Sequence, residues 1–200
     1  MTRTFKRNFF QAAGPLIFNH KGEVGMMLRD DMPLFGLFGG AKDDTDADFL
    51  ACAIRETLEE TNLPPDMVTP DTMRFLLRVN GIDPDTDQIM EDLYIYGLDI
   101  GDFPLALGDE GIGIYFFAPD KLPLNVTNYS RDVALRALQG PQPETLQNPV
   151  TFIFPGEFEH LLQHPLSDFT ALETWNAHPN VIAKRAAGRL KYDPFHDQRV

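Results

Sequence analysis

The sequence predicts an α/β fold in which a mixed β-sheet is layered against helices. Three observations predict it. Short apolar runs separated by turn residues precede one amphipathic helix, alternating runs follow that helix, and a second helical stretch comes after them. Strands on both sides of a helix are typical of layered α/β domains. A chain of 200 residues is long enough for one such core with an appended segment.

Local patterns predict the individual strands and helices. Short apolar or alternating runs bounded by turn residues predict strands at residues 14–19, 24–28, 34–38, 73–80, 91–99, 112–118 and 150–154. Helical periodicity predicts helices at residues 48–61, 131–138, 157–163 and 180–190. The first helix has a well-marked end, because Asn62 tolerates a left-handed backbone and Pro64-Pro65 cannot continue a helix.

A domain boundary is predicted at Gly140-Pro141-Gln142-Pro143, where turn-forming residues follow the second helix. It divides the chain into a domain at residues 8–140 and a mostly helical C-terminal extension at residues 141–200. Trp175 and the apolar positions around it predict that the extension packs on the domain or on a partner subunit.

Charge and cysteine content narrow the classes of function. Seventeen basic and thirty acidic residues give a formal net charge of −13, which repels nucleic acid, so nucleic-acid binding is not expected. No stretch reaches the roughly 20 apolar residues of a membrane helix, and the N-terminus lacks the pattern of a signal peptide. Cys52 is the single cysteine, so no intrachain disulfide is possible and a cytoplasmic location is expected.

The helix at residues 48–61 concentrates three carboxylates on one side. At about 100° per residue, Glu56, Glu59 and Glu60 fall within an arc of about 100°, opposite the predicted core face. That core face consists of Ala47, Leu50, Ala51, Ile54, Leu58 and Thr61. Like charges at these spacings repel one another, and the helix dipole disfavours acidic residues in the last turns. The carboxylates therefore need either full exposure to solvent or a cation.

A divalent cation removes both penalties. Mg²⁺ takes carboxylate oxygens and keeps waters and substrate phosphates as further ligands, so the acidic face predicts a site for Mg²⁺, with Mn²⁺ as an alternative. Arg55 precedes the first of these glutamates, and its guanidinium is suited to holding a carboxylate in a fixed orientation. Without its flanking residues, the same pattern is equally typical of a solvated helix face.

The flanking residues decide between these interpretations. Gly39-Gly40, a loop, and the segment Arg55-Glu56-Thr57-Leu58-Glu59-Glu60-Thr61-Asn62-Leu63 resemble the Nudix box. That box is Gly, five residues, Glu, seven residues, then Arg-Glu-apolar-x-Glu-Glu-x-Gly-apolar. The Arg-Glu-x-x-Glu-Glu core matches fully, and the order of hairpin, glycine loop, acidic helix and later strands also suits the family. The resemblance covers residues 8–140 and implies a Nudix-type α/β/α sandwich with a mixed sheet.

The resemblance also implies an activity, which is metal-dependent hydrolysis of a phosphoanhydride in a nucleoside diphosphate linked to another moiety. Carried over residue by residue, it makes Glu56 and Glu60 the principal metal ligands. Glu59 becomes a further ligand or the base that activates water, and Arg55 orients a glutamate for catalysis.

Two further contributions to the site are implied by the same resemblance. The backbone carbonyl of Gly40 or Ala41 completes the metal shell. A carboxylate from a later loop is also expected in the catalytic site, where Glu110 is the candidate and Asp109 the alternative.

The sequence departs from the box in the loop before the helix. Counting back from the helix, the box glutamate falls on Ala47 and Gly40 lies one residue too early, which predicts a one-residue insertion. Asp46 or Asp48 is expected to replace the missing glutamate. Asn62 stands where the box has its last glycine, and asparagine tolerates a positive φ better than most residues.

The partner is expected to be a small-molecule nucleotide. Arg29 and Arg78 are candidates for contacts with phosphate, and Phe38 for stacking on a base, with surface and core-packing roles as the alternatives. A nucleoside diphosphate sugar such as ADP-ribose is favoured slightly over dinucleotides, nucleoside triphosphates and coenzyme A. A homodimer is expected by analogy with the family only.

Two other classes of function compete with hydrolysis. A Nudix-like binding or regulatory module holds a nucleotide without cutting it; the altered loop is compatible with this class, whereas the complete set of acids argues against it. A Nudix-fold isomerase acting on a prenyl diphosphate requires a catalytic cysteine outside the box. Cys52 lies inside the box helix and is predicted to be a packed residue.

Overall fold

The computed structural model describes residues 9–83, 86–108, 111–141, 147–153 and 165–195. Within them the strands are β1 (Phe10–Asn19), β2 (Val24–Leu28), β3 (Phe35–Gly36), β4 (Gly40–Ala41), β5 (Arg74–Ile82), β6 (Ile89–Gly101), β7 (Gly113–Phe117) and β8 (Val150–Ile153). The helices are α1 (Phe49–Glu60), α2 (Asn128–Ala137), α3 (Leu172–Ala177) and α4 (Pro179–Ala186). None of the helices in this described part is long and apolar enough to cross a membrane.

The strands of the described residues form one mixed sheet. Its main path is β3-β2-β1-β6-β5-β8, with β4 paired to β1 and β7 paired to β2. The pairs β1–β6 and β5–β8 are parallel, whereas β1–β2, β2–β7 and β5–β6 are antiparallel. The long parallel pairing of β1 with β6 forms the centre of the sheet.

Helices cover both faces of this sheet. Successive residues of a strand point to opposite faces, so Leu16 and Ile17 of β1 enter two different apolar clusters. The cluster around Leu16 receives side chains from α2, α3 and α4, namely Val133, Ala134, Ala137, Trp175 and Val181. The cluster around Ile17 receives Cys52 and Ala53 of α1. The predicted α/β/α sandwich is therefore confirmed.

Helix α1 begins and ends through side-chain and loop contacts. Asp48 caps its start, because the Asp48 carboxylate accepts a hydrogen bond from the Ala51 N–H at 2.8 Å. The predicted left-handed conformation of Asn62 is wrong, since Thr61 is already extended and Asn62 has no positive φ. Instead the Asn62 side chain accepts a hydrogen bond from the Ala106 N–H at 2.6 Å, which holds the loop before β7 against the end of the helix.

The predicted core face of α1 is also wrong. Of the residues assigned to it, only Thr61 is buried; Leu50, Ala51, Ile54 and Leu58 are half-buried and Ala47 is exposed. The buried side chains of the helix itself are Cys52, Ala53, Thr57 and Glu60. The small side chains of Cys52 and Ala53 allow the helix to lie close to β1. The larger aliphatic side chains pack at the rim of the Ile17 cluster. The helix is thus rotated so that two of its glutamates face inward.

The other element predictions differ from the structure mainly at their ends. Helix α2 begins at Asn128, three residues before the predicted start, because the Thr127 hydroxyl caps the Ser130 N–H at 3.2 Å. The predictions missed α3 and the two-residue strand β4. The predicted helix at residues 157–163 lies outside the described residues.

Residues 165–195 of the extension pack on the domain in this structure. Trp175 and Val181 are fully buried in the cluster around Leu16. Phe169 packs with Met32 and Leu34 from the turn between β2 and β3.

Charged contacts join the extension to the same turn. The Lys184 ammonium lies 2.6 Å from Asp30, and the Lys191 ammonium lies 2.9 Å from Asp31. Arg29 donates two hydrogen bonds of 2.9 Å to the Asp31 carboxylate. Burial alone would raise the pKa of Asp31, but the hydrogen bonds and charges of Arg29 and Lys191 outweigh burial and lower this pKa to about 2.

Replacing Trp175 by Ala is expected to lower the free energy of unfolding by about 3–5 kcal/mol, because a large side chain leaves a cavity in the shared core. Trp175→Phe should retain much of the stability, since the indole N–H has no hydrogen-bond partner in the described residues. Ile182→Ala, at an exposed position of the same extension, should change stability by less than about 0.5 kcal/mol. Urea denaturation measures all three. If Trp175→Ala left the free energy of unfolding unchanged, the extension would not pack in this core.

Asp31→Asn is expected to lower stability at pH 7 by about 2 kcal/mol, the amount that corresponds to the lowered pKa. The folded-state pKa lies below the ordinary value, so this contribution is present above about pH 4 and disappears as the pH falls through about 2. Urea denaturation of both proteins from pH 7 to pH 2 should show the gap closing. The exposed Asp44→Asn variant serves as the control. A gap that persists unchanged at pH 2 would contradict the ion-pair explanation.

Candidate functional site

The loop between β3 and α1 lies directly on the backbone of β1. Gly39 has a φ of +129°, and a Cβ there would meet the Ala13 carbonyl oxygen and the Gly14 Cα at 2.7 Å. A Cβ at Gly14 would collide in turn with the carbonyl of Phe38. Side chains are therefore excluded at both glycines, and backbone packs on backbone.

Two carboxylates of α1 meet this glycine loop. The Gly39 N–H donates a hydrogen bond of 2.7 Å to Glu60 Oε2, and a Cβ at Gly40 would collide with the carboxylate of Glu56. Glu60 is 7% exposed, and the side chain of Glu56 is 12% exposed. Burial raises the pKa of Glu56, although the hydrogen bond from Arg55 acts in the opposite direction. The side chain of Glu59 is 59% exposed and faces solvent.

Arg55 connects the acidic residues to one another. Its Nη1 atom lies 2.6 Å from Glu56 Oε1 and 3.0 Å from Glu59 Oε2. Its Nη2 atom donates to the Ala41 carbonyl at 2.9 Å and to Asp46 Oδ2 at 2.9 Å, and Nε donates to Asp46 Oδ1 at 3.1 Å. These hydrogen bonds lower the pKa of Asp46 to about 2 and raise the pKa of Arg55.

The contacts of Arg55 distinguish the two aspartates that sequence analysis left open. Asp46, in the loop, accepts hydrogen bonds from the guanidinium of Arg55, whereas Asp48 caps the start of the helix. Of the two, Asp46 lies beside Arg55, and its role as the replacement for the box glutamate stays a prediction. The contact between Asp46 and Arg55 is compatible with the one-residue insertion that the position of Gly40 predicts for this loop.

A cavity of about 510 Å³ adjoins the other side of the glycine loop. Its wall includes the predicted site residues Arg29, Phe38 and Gly40 together with Gly39. It also includes residues that the sequence did not mark, namely Gly14, Met32, Glu91, Thr127, Tyr129, Ser130 and Lys191. The glycine loop is thus shared between the cavity and the carboxylates of α1.

The structure brings some predicted site residues together and separates others. Glu56, Glu60 and Gly40 meet at the loop, and Arg55 joins Glu56 to Glu59. Phe38 contributes to the cavity wall while its ring packs in the Ile17 cluster.

Arg78 lies elsewhere, on β5, where it donates to Asp92 at 2.6 and 3.0 Å and stacks over Tyr94 at 5.3 Å. It does not line the cavity in the described part of the chain. Glu110 and Asp109 lie outside the described residues, so the role assigned to Glu110 stays a prediction.

Sequence reasoning missed three kinds of residue at this site. Gly14 carried a visible signal, since a glycine within a strand often marks a close approach of another backbone. Thr127 caps α2 by accepting from the Ser130 N–H, and no local pattern in the sequence indicates that these two residues line a cavity. Lys191 had no local signal, because a tertiary contact alone brings it to the cavity.

The charge and chemistry of these residues fit a hard divalent cation. Asp46, Glu56, Glu59 and Glu60 provide four negative charges around the single positive charge of Arg55, and their oxygens are the ligands that Mg²⁺ prefers. Within the described ranges, no three acidic, histidine or cysteine side chains already converge as a metal cluster. Arg55 occupies one carboxylate oxygen of Glu56 and one of Glu59, and a carboxylate that accepts from Arg55 with one oxygen can bind a cation with the other.

Cys52 is a packed residue beside this site. It is fully buried, and its Sγ atom lies 3.6 Å from the Ala41 carbonyl oxygen and 3.7 Å from that of Gly40. Burial, followed by the negative charge of Asp46, raises the pKa of the thiol to about 11. A buried and protonated thiol does not provide a nucleophile, which removes the basis for the isomerase alternative.

The fold and the site together define an α/β/α protein whose glycine loop meets an acidic helix and borders a ligand-sized cavity. A family model described as the NUDIX domain matches residues 9–138, and the chain belongs to the Nudix family. The predicted family and the predicted class of enzyme, a Nudix hydrolase, are thereby confirmed. A search of curated protein sequences found no match.

Solved structures with the same fold come from several organisms. The MutT protein of Methanosarcina mazei Go1 is 20% identical with a TM-score of 0.51, and the match covers 68% of this chain and 97% of that one. A MutT/nudix family protein of Enterococcus faecalis is 15% identical with a TM-score of 0.53, covering 93% and 83% of the two chains.

A third structure contains a ligand. It is the NUDIX domain of Shewanella oneidensis NrtR complexed with ADP ribose, which is 13% identical with a TM-score of 0.52 and covers 70% of this chain and 92% of that one. At these identities the likenesses show the fold alone.

Proposed function

We propose that this protein hydrolyses a phosphoanhydride bond in a nucleoside diphosphate linked to another moiety, in a reaction that depends on Mg²⁺. The proposal rests mainly on the shared position of the Gly39-Gly40 loop. Glu56 and Glu60 meet the loop on one side, and the 510 Å³ cavity adjoins it on the other. A diphosphate lying over the loop would have its bridging oxygen near the acids and its organic part in the cavity.

Glu56 and Glu60 are the proposed principal metal ligands, with Glu59 and the Gly40 carbonyl as further ligands. When bound, Mg²⁺ or Mn²⁺ would neutralise the diphosphate and lower the pKa of a coordinated water. Glu110 stays the candidate for an additional carboxylate.

The side chains of α1 position and deprotonate the attacking water in this proposal. Arg55 is a positioning residue, because Asp46 and the Ala41 carbonyl fix its guanidinium while its Nη1 atom holds Glu56 and Glu59. In its alternative role as the base, the exposed Glu59 carboxylate would accept a proton from the water while the water oxygen attacks phosphorus and the bond from that phosphorus to the bridging oxygen breaks. Catalysis is then mostly positioning and charge stabilisation.

A nucleoside diphosphate sugar such as ADP-ribose is the favoured substrate within this class. The cavity volume lies within the range of about 300–1,000 Å³ that holds small organic ligands. Arg29 on its wall is the proposed phosphate contact, and Phe38 contributes apolar wall. The NrtR NUDIX domain, which has the same fold, was solved with ADP ribose. The proposal places the protein in the cytoplasm, and a homodimer stays a prediction.

The proposed reaction is tested with a panel of nucleoside diphosphate derivatives, each incubated with Mg²⁺, with Mn²⁺ and with chelator. We expect one compound to be cleaved into two phosphorylated halves, identified by mass, only when a metal is present. Tight binding without cleavage across the panel would instead indicate a binding or regulatory module.

Glu60→Gln is expected to lower turnover at least about 100-fold, because an amide does not provide the charge of a principal metal ligand. Steady-state kinetics and circular dichroism should show lost activity in a folded protein. Glu173→Gln removes an acid from an exposed position on α3 and should retain full activity. Full activity in Glu60→Gln would rule out this metal assignment.

A further inference from the structure

The C-terminal extension contributes a cation to the cavity wall. Lys191 lines the cavity beside Arg29 and Met32, although it follows α4 and lies outside the matched family domain. Its side chain is 63% exposed, and its ammonium lies 2.9 Å from Asp31 Oδ2. An ammonium has three N–H donors, so this ion pair leaves donors for a ligand in the cavity.

Lys191 is held in place more firmly than an ordinary surface lysine. Its backbone N–H donates to the Asp31 carbonyl at 2.9 Å. The extension on which it lies is anchored by the fully buried Trp175 and Val181. Phe169 and the half-buried Tyr192 add contacts with the apolar cluster of the β2–β3 turn. The fold therefore fixes the backbone of Lys191, and the ion pair with Asp31 orients its ammonium, which lowers the entropy cost of binding an anion.

Arg29, Asp31 and Lys191 form a local group of positive net charge in an otherwise acidic protein, although Glu91 also lies on the cavity wall. Asp31 binds both Arg29 and Lys191, so the three side chains carry a net charge of +1 in a chain whose formal charge is −13. The pKa of Asp31 is lowered to about 2, so this balance holds at neutral pH. An anionic group of a ligand is therefore favoured at this wall.

We propose that Lys191 is a specificity-determining residue that binds an anionic group of the substrate beyond the scissile diphosphate. This inference rests on the proposed function, because it assigns the diphosphate to the Gly39-Gly40 loop. Lys191 pairs with Asp31 of the β2–β3 turn and has its own position on the cavity wall, where it is assigned a ligand group other than the diphosphate. A phosphate monoester and a carboxylate share the required chemistry, which is a compact anion that accepts charge-assisted hydrogen bonds.

Pairs of nucleotides that differ by one anionic group test this role. NADPH and NADH, and coenzyme A and its 3′-dephospho form, differ by a phosphate; UDP-glucuronate and UDP-glucose differ by a carboxylate. Wild-type protein, Lys191→Gln and Lys184→Gln are titrated calorimetrically with each compound in chelator, where no metal-dependent turnover occurs. Lys184 is the matched control, because it belongs to the same extension and pairs with Asp30 but does not line the cavity in the described residues.

We expect the wild-type protein to prefer the more anionic member of at least one pair. Lys191→Gln should reduce that preference about tenfold and leave the affinity for the less anionic member within about twofold. Lys184→Gln should retain the wild-type preference. The pair that responds distinguishes a phosphate from a carboxylate. For a compound that is also cleaved with Mg²⁺, the KM ratio within the pair should change while kcat stays constant.

Three results would overturn the assignment of Lys191. In the first, the wild-type protein binds both members of every pair equally. In the second, Lys191→Gln loses the same affinity for both members of a pair. In the third, Lys184→Gln loses affinity for the more anionic member as Lys191→Gln does. The proposed hydrolysis fails separately, if nucleotides bind but none is cleaved when Mg²⁺ is added. In that case the ratio of affinities within each pair still decides whether Lys191 binds the anionic group.

Discussion

The glycine loop and strand β1 pack backbone against backbone, and this contact positions the rest of the site. A Cβ at Gly14 or Gly39 would overlap main-chain atoms across the contact, so the loop lies closer to the sheet than side chains would permit. At that depth the Gly39 N–H reaches the carboxylate of Glu60, and Gly40 lies against Glu56. The same loop atoms form part of the cavity wall. One steric constraint therefore brings carboxylates, backbone amide and ligand space to the same place.

Bringing carboxylates to this depth at the C-terminal end of a helix is unfavourable without compensation. Arg55 compensates through two acids of its own helix, while Asp46 and the Ala41 carbonyl hold it from the loop. The small Cys52 and Ala53 side chains permit the close packing of the helix that these contacts require. The carboxylates carry more negative charge than Arg55 neutralises, and in the proposed mechanism a divalent cation binds this excess negative charge.

Local patterns were sufficient to predict the hairpin, helix α1 and the family, because strand alternation, turn residues and the Arg-Glu-x-x-Glu-Glu spacing are properties of short segments. The rotation of α1 was not predictable in this way. Assigning Leu50 and Ile54 to the core assumes that burial follows hydrophobicity, whereas small size decided which residues meet β1. The spacing of the box left Asp46 and Asp48 both open, and tertiary packing decided which of them lies beside Arg55. No spacing in the sequence indicates the contact of Lys191 with Asp31.

The arrangement separates reaction chemistry from substrate choice. The acids, Arg55 and the glycine loop belong to one continuous stretch of chain, so their geometry follows from α1 and its approach to β1. The proposed specificity residue, Lys191, comes from the extension and lies at the cavity wall, where it pairs with Asp31 of the β2–β3 turn. A change at Lys191 therefore alters charge on the cavity wall without moving the carboxylates. Because Trp175 and Val181 anchor the extension in the cluster around Leu16, its cation is positioned by contacts other than those that hold the glycine loop against β1.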